Sequence, residues 1–272
     1  MIFGDKYVFL ELGRTGSTYA RYILKQIPNS IAVGKKHNIY TDLNYEYKAL
    51  FEQKSKIGNV RNPFEYYVSL FAFCCSERGG LHARITKRPD IISYYKPTDV
   101  LKTIWLHFKY KKVWKSIMSD ENSTENFQRF LKMLFETHPE AIGDFYGISG
   151  ANQKMGFLTF NYLRTYTRNF EKDVKNIESL DQLKAYDKEH NFIDVMFRNE
   201  TLKQQLLKNY EFYADSKEVI ENAIANKPPR SKTATQKKPF HLFYDDESRK
   251  MIYEKDKFIF EKYNYTFEDI IK

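Results

Sequence analysis

Two hydrophobic rhythms take turns along the N-terminal part of this chain, short unbroken apolar runs and longer stretches with helical spacing. Tyr7 to Leu12 is an apolar run suited to a buried strand. It passes through the small residues Gly13-Arg14-Thr15-Gly16-Ser17-Thr18 into a helical pattern at Tyr19, Tyr22, Ile23 and Ile27, which Pro28 ends. Ser30–Gly34 reads as a short strand leading into Lys35-Lys36-His37-Asn38, and a helix is expected from about Asp42 to Gln53. Lys56–Arg61 is another short strand, stopped by Asn62-Pro63. Pro63 suits the first position of a helix, and Tyr67, Leu70, Phe71 and Cys74 follow at i, i+3, i+4 and i+7. Strands alternating with helices predict an α/β fold, a parallel β-sheet flanked by helices. In such sheets ligands bind beyond the C-terminal ends of the strands. Gly13 to Thr18, Lys35 to His37 and Arg61 to Asn62 all lie at such ends.

From about Ser76 to Ala151 that rhythm stops. Helical pieces at Val100 to Met118 and Asn126 to Thr137 make this stretch a helical insertion within a single domain spanning the chain, placed as a cap over the acceptor site. Met155, Leu158, Tyr162 and Tyr166 mark a further helix, whose aromatic stripe, with Phe157 and Phe160, suits either core packing or the stacking of an acceptor. Phe192–Phe197 is the next strand, followed by Arg198-Asn199-Glu200 and a helix carrying Leu202, Leu206 and Tyr213. A basic, Pro-rich loop runs from Asn226 to Lys232, and a last helix is expected from about Asp246 to Tyr263.

Composition narrows the picture. The 272 residues are 17% aromatic, which argues for a packed core rather than disorder. A formal net charge of +9 suits an anionic ligand, although lysines spread over solvated faces give the same total. No apolar run approaches the roughly 20 residues of a membrane helix, and Met1–Lys6 leads straight into a strand, leaving no room for a signal peptide. The two cysteines, Cys74 and Cys75, are adjacent and read as free thiols of a reducing compartment. The expectation is a cytoplasmic protein, and no Cys/His cluster has metal-ligand spacing.

The chemistry concentrates in the first strand–turn–helix. Backbone N–H groups at a tight turn and a helix N-terminus make a cradle for an anion. Gly13 and Gly16 permit close approach, Thr15, Ser17 and Thr18 add hydroxyls, and Arg14 adds a fixed charge. A nucleotide hydrolase loop needs Gly, four residues, then Gly-Lys-Ser/Thr. Here two residues separate the glycines and no Lys precedes Ser17-Thr18. A plain turn capped by small residues has the same outline.

Gly13-Arg14-Thr15-Gly16-Ser17-Thr18 resembles the 5′-phosphosulfate loop of sulfotransferases that use PAPS (3′-phosphoadenosine 5′-phosphosulfate). Val60-Arg61-Asn62-Pro63 with Ser69 resembles their 3′-phosphate motif, and the order through Phe197–Glu200 and Tyr244–Glu247 is similar, closest to bacterial and carbohydrate-type members. The resemblance implies a P-loop-like fold, PAPS as donor and PAP (3′,5′-adenosine bisphosphate) as product, no metal, and a hydroxyl acceptor of carbohydrate type. It puts Arg14 where a Lys usually stands, assigns the 3′-phosphate to Arg61 and Ser69, and lets Arg230, Ser231 and Lys232 close over the nucleotide. His37 takes the place of the catalytic base, with Glu11, His82 and His107 as alternatives. Two other classes compete. A P-loop-like kinase or nucleotide-binding module would need a loop Lys and a strand-ending acid. A non-catalytic binder of nucleic acid or anionic polysaccharide fits the charge, but lacks aromatics interleaved with basic residues.

Overall fold

The computed structural model describes residues 1–87, 97–136, 142, 145–226 and 238–271. The chain runs β1 (Ile2–Phe3), β2 (Tyr7–Phe9), α1 (Ser17–Leu24), β3 (Ile31–Ala32), α2 (Tyr45–Gln53) and β4 (Ser55–Val60). Helices follow as α3 (Pro63–Cys75), α4 (Gly79–Thr86), α5 (Pro97–Ile117), α6 (Thr124–Glu136), α7 (Phe145–Ile148), α8 (Ala151–Lys154), α9 (Phe157–Tyr166), α10 (Phe170–Asp173) and α11 (Leu180–His190). β5 (Val195–Arg198) precedes α12 (Leu202–Lys208), α13 (Lys217–Ala225), α14 (Asp246–Lys255) and α15 (Lys257–Tyr263).

Two compact units divide these elements. The described residues of Met1–Asn62, Asn161–Lys172 and Lys184–Ser231 form the first. It carries the sheet, in the order β3-β1-β2-β4-β5. β2, β4 and β5 pair in parallel, as the alternation of strands and helices predicts, but β1 is antiparallel to both β2 and β3. The sheet is therefore mixed rather than parallel. The cause is local: the chain folds back at Gly4, whose N–H donates to the Tyr7 carbonyl at 3.0 Å, so a two-residue strand precedes β2 as a hairpin arm. Tyr7, Phe9, Ile57 and Phe197 pack with Ala20, Ile23 and Leu24 of α1, Leu202 and Leu206 of α12, and Ile220 and Ala223 of α13. The Tyr7 hydroxyl, buried in that cluster, donates to the Leu24 carbonyl at 2.9 Å and thereby closes the end of α1.

The described residues of Pro63–Phe160, Asp173–Leu183 and Lys232–Lys272 form the second unit, and its regular elements are helices. α3 is buried over most of its circumference. Its rings meet those of other helices edge-on, Phe71 against Phe127 and Tyr67 against Phe135. The helix expected from Asp246 to Tyr263 is two helices, broken at Asp256. That carboxylate is fully buried and accepts hydrogen bonds from the Thr159 N–H (2.8 Å), the Thr159 hydroxyl (2.6 Å) and the Tyr67 hydroxyl (2.5 Å). Asp256 leaves its own helix to cap the first turn of α9, where an orphan N–H needs an acceptor.

Candidate functional site

The site grows from the point where β2 leaves the sheet. The last bond on that edge of β4 runs from the Leu10 N–H to the Ile57 carbonyl, at 2.9 Å. The chain then turns within itself as the Thr15 hydroxyl donates to the Leu12 carbonyl at 2.8 Å. Two residues of this turn hold left-handed backbone, Arg14 at φ 64° and Gly16 at φ 82°. At position 16 only Gly suffices, because a Cβ there would strike the Asn199 side chain as well as strain the backbone.

Gly16 caps α1 without a side-chain hydrogen bond. The N–H groups of Ser17 and Thr18 therefore have no acceptor among the described residues. Four expected ligands, Gly13, Gly16, Ser17 and Thr18, thus surround one helix N-terminus. Thr15 sits there differently: it is fully buried and its hydroxyl hydrogen is committed inside the turn, so it shapes the loop and contributes no side-chain donor.

β4 brings Arg61 to the same place. One Arg61 guanidinium nitrogen donates to the Arg14 carbonyl at 3.3 Å. From inside the sheet, the Asn59 side-chain amide donates to the Thr15 carbonyl. The Tyr166 hydroxyl of α9 bonds both the N–H (2.9 Å) and the carbonyl (2.8 Å) of Asn59. At the end of β5, Glu200 accepts the Asn62 N–H at 2.7 Å. Asn59 and Asn199 were not singled out from the sequence as site residues, and Tyr166 was read only as core or as an acceptor platform, not as a support of the loop. Their roles are hydrogen bonds and contacts to residues distant in the chain, which periodicity does not register.

The segment after β3 folds over the loop through two left-handed residues, Gly34 and His37, each at φ 65°. The Lys36 ammonium donates to the Thr18 hydroxyl at 2.7 Å. His37 Nδ1 lies 2.7 Å from the Glu11 carbonyl. A carbonyl only accepts, so the Nδ1 proton is held there and Nε2 of the neutral ring keeps its lone pair. The ring passes beside Gly13, where a Cβ would stand 3.8 Å from His37 Cε1. Desolvation against the loop lowers the pKa of His37 from its ordinary 6.5, the Lys36 charge adds to that, and the Glu11 carbonyl opposes it. The residue as a whole still reaches solvent. The pKa of Lys36 is also lowered, first by desolvation, with Arg21 and Arg14 adding repulsion that Glu11 opposes.

Glu11 itself is buried and ion-paired. One carboxylate oxygen is bound by the Arg21 guanidinium and lies 3.5 Å from the N-terminal ammonium, while the other has no hydrogen-bond partner among the described residues. Its backbone carbonyl aims His37, and its side chain serves α1 through Arg21.

No family model, curated protein or solved structure matches this chain.

Ser69 is buried in α3 of the second unit, as are His82 on α4 and His107 on α5. Arg230, Ser231 and Lys232 fall outside the described residues. The aromatic stripe of α9 is core: Tyr162 and Tyr166 are fully buried and Phe157 and Phe160 nearly so, which removes them as a platform for an acceptor. Among the described residues no group of three or more His, Cys, Asp or Glu side chains is placed to hold a metal ion, and no helix is long and apolar enough to cross a membrane.

Proposed function

We infer that this chain is a sulfotransferase that moves a sulfuryl group from PAPS to a hydroxyl of an acceptor, of carbohydrate type by the motif resemblance. One observation carries the reading: His37, its Nδ1 held by the Glu11 carbonyl and its ring beside Gly13, and Lys36, bonded to Thr18, meet at the loop that enters α1 without a side-chain cap. The residues present fit the 5′ end of the donor. The N–H groups of Ser17 and Thr18, without acceptors among the described residues, the Arg14 charge and the Lys36 ammonium make a strongly anion-attracting cradle. For the 3′-phosphate the first unit offers Arg61 at the adjoining strand end.

When bound, PAPS supplies the sulfuryl group and a phosphate leaving group. The work of the protein is then positioning and charge neutralisation. Arg14 and Lys36 neutralise anionic oxygens, and Arg14 stays protonated throughout, since a guanidinium does not release its proton near neutral pH. His37 accepts the acceptor hydroxyl proton at Nε2, while the Glu11 carbonyl holds Nδ1 in the productive tautomer. The lowered pKa keeps the ring neutral, and therefore basic in function, below the ordinary imidazole range.

Calorimetric titration with PAP, without magnesium, tests the reading, with magnesium–ATP and magnesium–GTP as comparisons and Arg61→Ala as control. Micromolar PAP binding that collapses in the variant is expected. A preference for a magnesium–triphosphate, or no PAP binding, would replace the sulfotransferase by the kinase-like module.

A further inference from the structure

α5 presents an apolar line to solvent in the second unit. Leu101, Trp105 and Phe108, one helical turn apart in succession, are 70%, 61% and 68% exposed. They are not there for want of a core. The opposite side of the same helix buries Leu106, Trp114 and Ile117 against its neighbours, with Trp114 edge-on to Phe130. Single exposed apolar residues are ordinary, but three in a line on one helix mark a contact surface.

The charge around this line selects the partner. α5 holds five lysines, at 102, 109, 111, 112 and 115, and a single acidic residue, Asp99, in its first turn. Lys109 lies over the Trp105 ring, 5.2 Å from its centroid, and Lys112 and Lys115 are exposed at the end of the apolar line. A second copy of the chain, related by a two-fold axis, would set this lysine-bearing end either against itself or against the apolar end of its mate, and residues 100–118 offer no carboxylate to answer it. An acidic surface with an apolar interior meets both features. Aromatic and aliphatic side chains enter the boundary between headgroups and acyl chains, while lysines bend their ammonium groups back to the phosphates.

We propose that α5 docks the protein on an anionic lipid surface, lying in the interface with Leu101, Trp105 and Phe108 inserted and Lys109, Lys112 and Lys115 on the headgroups. The helix does not span the bilayer. This site is separate from the anion cradle of the first unit, and the proposal does not depend on the sulfotransferase reading.

Flotation of the full chain with phosphatidylcholine vesicles, with and without phosphatidylserine, tests it. Binding is expected only with phosphatidylserine, together with a blue shift of Trp105 fluorescence over the constant background of the buried Trp114. Each lysine at the surface contributes roughly fivefold, so Lys109→Gln with Lys112→Gln should weaken binding by about 25-fold. Trp105→Ser with Phe108→Ser should abolish the insertion signal, and circular dichroism checks that these exposed substitutions leave the fold intact. Equal binding to neutral vesicles, no binding to either, or a double aromatic variant that floats like the parent would overturn the proposal. So would a dimer in light scattering that Trp105→Ser dissolves, which would assign the face to a second copy.

Discussion

Left-handed backbone at two non-glycine side chains, Arg14 and His37, is where this protein spends conformational energy beside its candidate site. Such a conformation costs about 1–2 kcal/mol for an L-residue, and strain of this kind persists where the surrounding structure demands it. At His37 the demand is the hydrogen bond to the Glu11 carbonyl, and at Arg14 it is the tight turn into α1. Arg14→Gly separates charge from shape. Glycine adopts the turn without strain but gives up about 0.5–1 kcal/mol to the unfolded chain, so stability in chemical denaturation should stay within about 1 kcal/mol of the parent. Its affinity for PAP should fall sharply, and an unchanged affinity would remove Arg14 from the cradle. His37→Ala should leave PAP binding in place while transfer falls by roughly 10²- to 10⁴-fold. Because the folded-state pKa is depressed, the acidic limb of the rate profile should lie below pH 6.5. The kcat/KM profile, which reports the free protein, measures it, and a limb well above that value would count against His37 as the base. Position in the sequence pointed to both residues, but nothing in their types foretold the backbone that presents them.

At the level of elements, β4 outruns its neighbour, and the loop depends on how the exposed edge is satisfied. β2 leaves after Phe9, so Asn59 finds its backbone partner in the Tyr166 hydroxyl, while its side chain holds the Thr15 carbonyl. Gly58 makes room, since a Cβ there would stand 3.0 Å from the Tyr166 ring. Tyr166→Phe keeps the ring and strips the hydroxyl, leaving a buried N–H and carbonyl unmatched. That should cost about 1–3 kcal/mol in denaturation and weaken PAP binding through the displaced loop; unchanged stability would disprove the coupling. The strand–turn–helix of β2 and α1, the strand β4 and the start of α3 were legible because their apolar runs and breakers are strong. α11 was not identified, since its sequence is mostly polar with few apolar positions; α13 was passed over although Val219, Ile220, Ala223 and Ile224 give its nine residues an apolar face. The hairpin arm β1 is too short to carry a period, and the break between α14 and α15 has no glycine or proline to announce it. Asp256 breaks the helix because of a partner almost a hundred residues earlier, and a tertiary demand of that kind leaves no local trace.

Across the whole molecule, proton uptake pulls stability in opposite directions. Burial raises the pKa of Asp256 from 3.8 to about 6, even though Thr159 and Tyr67 donate hydrogen bonds to it. A carboxyl whose folded-state value lies above its unfolded one favours the folded state while protonated. Its contribution is complete below pH 3.8 and is lost as pH rises through about 6. The difference corresponds to about 3 kcal/mol. His37, His82 and His107 act in the other sense, because desolvation depresses all three, and a depressed histidine loses stability as pH falls below 6.5. The parent curve mixes the two, so the informative quantity is the difference between the parent and Asp256→Asn. Asparagine cannot accept all three hydrogen bonds, so the variant is expected to be less stable at every pH. Between pH 4 and pH 7, however, the gap to the parent should narrow by on the order of 3 kcal/mol as the buried charge appears only in the parent. Chemical denaturation across that range measures the gap directly. A constant gap would mean that Asp256 titrates as an ordinary carboxylate, held down by its three donors despite its burial; a widening gap would mean that those donors depress it further.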